Sequence, residues 1–266
     1  MKSLRQQALS CLLLTDPKEK VTATQQLYAD WQAKKLQFDH VALVVPDNPG
    51  RPDKPELVSP KALPRRRNSK KEGIAPLIHA ITHIEFNAIN LALDAIARFP
   101  NLPEAYYTDW LQVAKEEAYH YSLLQQHLTT LGYDYGAFPA HNGMWEMAIK
   151  THHDPLIRMA LVPRVLEARG LDVTPQMIDK LNQAGDEKAA AILAIILRDE
   201  IGHVAIGTRW FNYLCQQRKL DSLAIFQTLL DDYFDGQLRG PFHIAARQQA
   251  GFSQQELALI QNQASH

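Results

Sequence analysis

Six side chains in this sequence could bind metal ions together. Their order is one Glu, then Glu-x-x-His, then one Glu, then a second Glu-x-x-His, and each group lies within a long apolar run of helical period. They are Glu85, Glu117, His120, Glu167, Glu200 and His203. This is the ligand plan by which four helices of a bundle hold two metal ions in their interior. The residue types and their order therefore predict a di-metal carboxylate centre.

The spacing of the first half agrees with this plan. Glu85 lies 13 residues before Arg98, where the first helical pattern stops, and Glu117 lies 13 residues after Glu104, where the second pattern starts. At ~1.5 Å per residue, each carboxylate is then roughly 20 Å from the same tight connection. We expect the two carboxylates to face each other across an antiparallel helix pair.

The second half repeats this arrangement. Glu85 and Glu117 are 32 positions apart, and Glu167 and Glu200 are 33 apart, so the chain reads as two copies of one helical hairpin related by a pseudo-two-fold axis. Within each Glu-x-x-His, the step from i to i+3 brings both side chains to one face of the helix. One carboxylate and one imidazole per metal ion follow.

We expect one all-α domain spanning 1–266. It consists of N-terminal helices (1–40), a proline-rich extended arm (41–74), a four-helix bundle (75–218) and C-terminal helices (219–266). Proline disfavours helix at the residue before it and cannot donate a hydrogen bond to a β-ladder. The arm is therefore expected to lie over the bundle as an extended chain.

The third bundle helix is predicted to be irregular. It should begin at Asp154-Pro155, where an aspartate N-cap precedes proline in the first turn, and continue to Arg169. Pro163 lies four residues before Glu167, and its missing N–H predicts a bend beside the metal site. Gly170 and Thr174-Pro175 then predict a break, followed by a short separate segment over 175–184.

Charge and cysteine content exclude several classes of protein. The formal net charge of −1 provides no overall field that attracts nucleic acid or an acidic membrane. The basic run 65–71 is a local exception that we interpret as a solvated loop. Cys11 and Cys215 give neither a disulfide framework nor a zinc pattern, and no run approaches ~18 apolar residues. We expect a cytoplasmic protein without a membrane partner.

Other polar side chains near the predicted ligands have simpler interpretations. By the helical step of ~100° per residue, His79 and His83 lie on other faces of the helix than Glu85, so we expect them to pack or to support ligands. Tyr121 is interpreted as a core residue rather than a radical or proton donor. The remaining histidines outside the repeated motif are expected in loops or on the surface: His141, His152, His153 and His243.

At its six predicted ligands, the sequence resembles the ferritin-like di-iron and di-manganese carboxylate superfamily. The runs His79-Ala-Ile-Thr-His-Ile-Glu85 and Asp199-Glu-Ile-Gly-His203, with the arm segment 57–60, are similar to a bacterial ferritin-like family labelled as a domain of unknown function. The resemblance covers 57–215. It implies a ferritin-like four-helix bundle, in which Glu117 and Glu200 bridge the two metal ions.

The donor types limit the metal and the reaction. Four carboxylates with two imidazoles favour iron, with manganese as the second choice, over copper or zinc. The resemblance implies hydroxylation or desaturation, ferroxidase activity, peroxide disproportionation or radical generation. We favour an oxygen-activating oxidoreductase of the hydroxylase or oxidase type, similar to di-iron monooxygenases, that uses dioxygen or peroxide, an undefined small substrate and an electron donor. The four ligand carboxylates would then also be its catalytic residues: Glu85, Glu117, Glu167 and Glu200.

Iron binding, ferroxidase activity or storage without an organic substrate is the alternative. Ferritins are shorter, nearly bare bundles, whereas this chain has the additional segments 1–74 and 219–266, which suit a substrate pocket better. The tRNA-modifying hydroxylases of the superfamily leave tRNA open as a substrate, although the net charge of −1 does not support it. The sequence does not define the oligomeric state.

An acid precedes each Glu-x-x-His, namely Glu116 and Asp199. A metal-bound imidazole normally donates its other N–H to a carboxylate or carbonyl group, which fixes the orientation of the ring. Each acid lies ~100° around its helix from the following Glu, so it cannot bind the same metal but can reach the other hairpin. We therefore predict that Asp199 pairs with His120 and Glu116 with His203.

Overall fold

The computed structural model describes residues 2–63, 73–234 and 238–263, and its architecture is all-α, as the sequence predicts. Two short strands, β1 (Lys2–Ser3) and β2 (Leu36–Gln37), form a parallel pair. The chain divides into two compact units, 1–149 and 150–266. The helices in chain order are α1 (Leu4–Leu12), α2 (Pro17–Gln32), α3 (Ile74–Arg98), α4 (Glu104–Thr130), α5 (Gly143–Lys150), α6 (Pro155–Leu161), α7 (Ala168–Ala184), α8 (Glu187–Gln217), α9 (Ser222–Phe234), α10 (Ile244–Gln249) and α11 (Gln254–Gln263).

Helix α3 is the centre of the first unit. It packs against α4 and α1, and α2 packs against α4. Nearly every residue of α3 from Ile78 to Ala97 is buried, the exposed Ile84 and the half-exposed Ala80 being exceptions. An apolar surface that extends around most of a helix must be covered on several sides. The pairing of α3 with α4 agrees with the predicted hairpin.

Aspartate N-caps start two helices, and the sequence analysis predicted the one at Asp154. Asp16 Oδ1 accepts hydrogen bonds from the backbone N–H groups of Lys18 and Glu19, both at 2.9 Å, and Pro17 occupies the first turn of α2. These bonds satisfy two of the backbone donors that a helix start leaves without partners. Asp154 caps α6 in the same way by accepting from the N–H of Leu156 at 2.7 Å.

The described part of the arm lies on the helices of the first unit. The N–H of Gly50 donates to the carbonyl oxygen of Leu12 at 2.9 Å, and Arg98 donates to the carbonyl oxygen of Pro46 at 3.0 Å. A Cβ at position 50 would lie 2.2 Å from the Leu13 carbonyl oxygen, so only glycine allows this approach. Residues 41–59 contain no helix, and a 3-10 helix follows at Pro60–Ala62. The predicted extent of the arm, 41–74, stays a prediction. Residues 64–72 lie outside the described residues, and they include the whole basic run 65–71 that we interpreted as a solvated loop.

In the second unit, the predicted irregularity at Pro163 is present. The chain passes from α6 into a π-helical segment, Val162–Glu167, and then into α7. The predicted break at Gly170 and Thr174-Pro175 is wrong, because α7 continues through these residues to Ala184. Pro175 costs α7 one backbone hydrogen bond. The continuous helix compensates, because it packs against α8 and buries side chains such as Leu171. Packing here outweighs local propensity.

The C-terminal helices are joined to the π-helical segment by a buried arginine. Arg164 donates to the carboxylate of Glu256 in α11, and both side chains are buried. Its guanidinium group also packs on three aromatic rings at centroid distances of 4.3–4.7 Å, those of Phe211, Phe226 and Phe252. A buried charge needs such a partner, because desolvation of an unpaired ion is costly.

No helix in the described ranges is long and apolar enough to cross a membrane. The assignment of 1–266 to a single domain stays a prediction.

Candidate metal centre

Helices α3 and α4 bring three of the predicted ligands together. Nδ1 of His120 lies 3.2 Å from Oε2 of Glu85 and 3.5 Å from Oε2 of Glu117. The three ligand atoms form a group within 4.8 Å of one another. All three side chains are buried, with exposed fractions of 3% for Glu85 and 0% for Glu117 and His120. The antiparallel pairing predicted from equal spacing thus produces a buried cluster of two carboxylates and one imidazole.

The electrostatics of this cluster favour a positive charge at its centre. Burial alone would lower the pKa of His120, but hydrogen bonding and charge from Glu117 and Glu85 outweigh burial and raise this pKa to about 11. Two carboxylates removed from water need a nearby cation. A proton on the imidazole is one such cation, and a metal ion bound to the same three atoms is another.

The second unit contains the matching Glu-x-x-His. On α8, Nδ1 of His203 lies 3.5 Å from Oε1 of Glu200, the same separation as that between His120 and Glu117. Glu167 is the last residue of the π-helical segment. The three side chains are buried, with exposed fractions of 7% for Glu167, 9% for Glu200 and 0% for His203. The two Glu-x-x-His motifs therefore adopt the same local geometry.

Glycine allows the π-helical segment to approach α8 closely. A Cβ at Gly207 would lie 2.4 Å from both Cβ and Cγ of Pro163. Since real Cβ atoms do not approach other carbons so closely, only glycine allows this contact. Glu167 follows Pro163 in the same segment, and single π-helical turns are frequent at functional sites. The sequence predicted the bend at Pro163, but it did not predict the requirement at Gly207.

The acids that precede each motif are half-buried. Glu116 accepts a hydrogen bond from the side chain of Gln112, one turn earlier in α4. Asp199 accepts two hydrogen bonds from Arg198, at 2.8 and 3.2 Å. The predicted pairing of these acids with His120 and His203 stays a prediction.

His79 and His83 lie apart from the cluster, as the helical step predicts. The N–H of Gly136 donates to Nε2 of His79 at 2.9 Å, and Nδ1 of His83 lies 2.8 Å from the hydroxyl oxygen of Tyr135. Burial lowers the pKa of both imidazoles to about 4, so both are neutral at pH 7. Tyr121 is buried against Phe86, at a ring-centroid distance of 5.7 Å, in agreement with a core role.

The other histidines lie in loops or on the surface, as expected, and two of them also accept backbone hydrogen bonds at helix starts. Nδ1 of His243 accepts from the N–H of Ala246 at 3.1 Å and caps α10, and Nδ1 of His141 accepts from the N–H of Gly143 at 3.2 Å before α5. His152 and His153 are exposed between α5 and α6.

One polar contact was not predicted from the sequence. Lys20 is fully buried, and its ammonium group donates to the carbonyl oxygens of Leu12 and Gly50, both at 2.8 Å, and to Oδ1 of Asn90. Lys18, two residues earlier, is exposed. Only the fold distinguishes these two lysines, since nothing in the local sequence predicts which one the arm will cover.

The donor set defines what the cluster can do. Carboxylate oxygens and imidazole nitrogens bind divalent first-row metal ions, whereas copper(I) and iron–sulfur clusters require sulfur ligands. Among the described residues, Glu85, Glu117 and His120 form a buried group whose atoms converge closely enough to hold a metal ion. Metal binding is therefore a function that these residues can perform.

Two comparisons place the sequence among known proteins. Residues 13–258 match the model of a family described as "Protein of unknown function (DUF455)". An uncharacterized protein from Haemophilus influenzae is 49% identical over 266 residues, an alignment that covers 96% of this chain and 92% of that protein. No solved structure matches the chain.

Proposed function

Because this chain belongs to the DUF455 family, which is described as of unknown function, we propose its function from its own residues: it is a di-metal carboxylate protein that acts as an oxygen-activating oxidoreductase. One observation carries this proposal. Two buried carboxylates from facing helices, Glu85 and Glu117, lie within 3.5 Å of the same imidazole nitrogen of His120.

Burial of acidic side chains supports the binding of cations. An isolated ionised carboxylate is strongly destabilised away from water, so a fold retains it only with a cation or several hydrogen-bond donors. All six predicted ligands are buried: Glu85, Glu117, His120, Glu167, Glu200 and His203. A pair of divalent ions would compensate the negative charge of four such carboxylates.

We further propose, from the repeated motif in the sequence, that Glu200 belongs to the same di-metal centre as Glu85 and Glu117. Glu167 and His203 would then help Glu200 to hold the second ion. The support for this assignment is the repeated local geometry, since each Glu-x-x-His has its carboxylate and imidazole 3.5 Å apart. The matched spacing of the two halves supports it as well.

The donor set favours iron, with manganese as the second choice. Two such ions, when bound, would supply the electrons and the coordination sites for reducing dioxygen or peroxide. The side chains of the protein would orient this chemistry and limit the access of water. Ala88, Ile89 and Ala92 follow Glu85 on its helix and are buried, so they surround the carboxylate with apolar groups.

The proposed site would be tested with protein purified under anaerobic conditions. The metal content per chain is measured, and air is then admitted while the optical spectrum is recorded. We expect about two iron or manganese ions per chain and a spectral change that requires the metal. Glu117→Gln should lose this metal, whereas Glu104→Gln, at an exposed position on the same helix, should retain it.

Iron loading distinguishes the alternative. Uptake of many ions per chain, well beyond two, would support storage rather than oxygenation. If Glu117→Gln folds and still retains the metal content of the unmodified protein, the proposed site is wrong.

A further inference from the structure

A small pocket lies between the arm and helix α3, away from the proposed metal site. Asn90 lies five residues after Glu85, which places it about 140° around α3 from that carboxylate. Residues of the arm, including Pro49 and Pro52, form the opposite wall. The lining consists of Pro49, Arg51, Pro52, Pro55, Leu57, His83, Phe86, Asn87, Asn90, Tyr135 and Asn142.

The floor of this pocket contains a hydrogen-bond donor without a partner. Lys20 donates to Oδ1 of Asn90, and an ammonium group cannot accept a hydrogen bond. This contact fixes the orientation of the amide, so the NH₂ group of Asn90 faces away from Lys20. Asn90 is 1% exposed, and among the described residues its Nδ2 atom has no hydrogen-bond partner. A buried donor left in this state is destabilising unless a bound molecule accepts from it.

The charge around the pocket is positive. Its lining includes the guanidinium group of Arg51 and contains no carboxylate. Arg51 is exposed at the rim, and no ion pair involves it within the described part of the chain. Below pH 7, where Lys20 is protonated, its ammonium group also lies beside the amide of Asn90. Prolines and Phe86 supply apolar walls.

We propose that this pocket binds a small carboxylate, one oxygen of which occupies the small cavity and accepts a hydrogen bond from Asn90 Nδ2. Its second oxygen would lie in the open mouth of the pocket beside the Arg51 guanidinium group, and its short carbon chain would lie outside the cavity against the prolines. Charge-assisted hydrogen bonds to carboxylate are stronger than neutral ones, and arginine suits this ligand because its donors form a planar fork. The site does not depend on the proposed metal centre.

A single water molecule is the competing occupant. The enclosed, water-accessible volume is only about 10 Å³, close to what one water molecule requires. Water would satisfy Asn90 Nδ2 but would not need Arg51, which lies at the open rim. A contribution of Arg51 to binding would therefore distinguish a carboxylate from a water molecule.

Two variants test the proposal in the full-length protein. Asn90→Asp keeps an oxygen for Lys20 but replaces the NH₂ donor with a second oxygen, whose negative charge also opposes an anion. Arg51→Gln removes the rim charge at an exposed position. The control is Asp53→Asn, an exposed arm residue outside the lining. Sodium acetate is titrated into ¹⁵N-labelled protein at pH 6, where Lys20 is protonated, and at constant ionic strength. The side-chain amide signal of Asn90 is followed in the proteins that contain it.

We expect a saturable shift of the Asn90 amide signal in the unmodified protein and the control. Arg51→Gln should weaken acetate binding by roughly 10-fold, as expected for the loss of a charge-assisted hydrogen bond. For Asn90→Asp, backbone amides of the arm and α3 report binding, and saturation should be lost. If the unmodified protein shows no saturable shift, or if acetate binds both variants as well as it binds the control, the pocket holds only water and the proposal is wrong.

Discussion

Nδ1 of His120 and Oε2 of Glu85 lie 3.2 Å apart across the α3–α4 pair, although 35 positions separate them in the chain. Glu85 and Glu117 each lie 13 residues from an end of the tight connection, so antiparallel packing brings them to one level. His120 follows Glu117 by three residues on the same face of α4. The same contact raises the pKa of His120, with Glu117 as the other contributor. Geometry and charge thus identify the same position as a cation site.

Binding of a metal ion should stabilise the folded protein. A ligand that binds only the folded state adds about 2.7 kcal/mol when its concentration is 100 times its Kd. Anaerobic Mn²⁺ should therefore raise the melting temperature, measured by circular dichroism. Glu85→Gln should reduce or abolish this rise, whereas Glu104→Gln should not change it. Equal rises in both variants would contradict the assignment of Glu85.

Gly207→Ala should destabilise the protein. The new methyl group would lie 2.4 Å from Pro163, and overpacking of this kind typically costs about 1–3 kcal/mol. The matched control is Gly202→Ala in the same helix, where a Cβ meets nothing within 4 Å. That change should be neutral or stabilise by up to about 1 kcal/mol, because alanine favours helix. Urea unfolding of both variants measures the difference, and equal stabilities would contradict the close contact.

The helices and the cluster of Glu85, Glu117 and His120 could be predicted from the sequence, because both depend on a fixed helical period. Glu117 and His120 must share a face of α4 at a spacing of three, and the apolar period placed Glu85 on the facing helix. The continuation of α7 through Pro175 could not be predicted in this way, since the local signal indicates a break and only burial against α8 outweighs it.

Long-range polar contacts were also beyond prediction. Lys20 meets Asn90 across 70 positions, and the arm closes over this contact at Gly50. Each of these residues is ordinary in its local sequence. Their roles arise from the path of the arm, which has no repeating pattern from which its contacts could be derived.

Asp199→Ala should weaken metal binding by roughly 10–100-fold without unfolding the protein, the usual effect of losing the partner of a metal-bound imidazole. The expected partner is His120. Arg198→Ala removes the arginine that binds Asp199 on the exposed side and should leave the metal affinity nearly unchanged. Competition with a chromogenic chelator measures both affinities. Unchanged affinity in Asp199→Ala would show that this carboxylate does not support a ligand.

We expect Lys20 to cause the free energy of unfolding to rise between pH 7 and pH 9. Burial lowers the pKa of its ammonium group from 10.5 to about 7. In this window the unfolded chain therefore binds more protons than the folded one, and the free energy of unfolding rises by up to about 1.4 kcal/mol per pH unit. Lys20→Met removes this contribution.

The difference between the unmodified protein and Lys20→Met isolates the effect of Lys20. His120 contributes the opposite slope in metal-free protein, since its pKa is raised to about 11, but both proteins contain it. Burial raises the pKa of Cys11 from 9.0 to about 11, which adds a slope of the same sign as that of His120 from about pH 8 upward, and both proteins contain this thiol. Urea unfolding at pH 7, 8 and 9, with the exposed Lys18→Met as the control, measures the slopes. The unmodified protein and Lys18→Met should share one slope, and Lys20→Met should have a lower one. If all three slopes are equal, the ammonium group of Lys20 remains charged in the fold, held by its three oxygen acceptors.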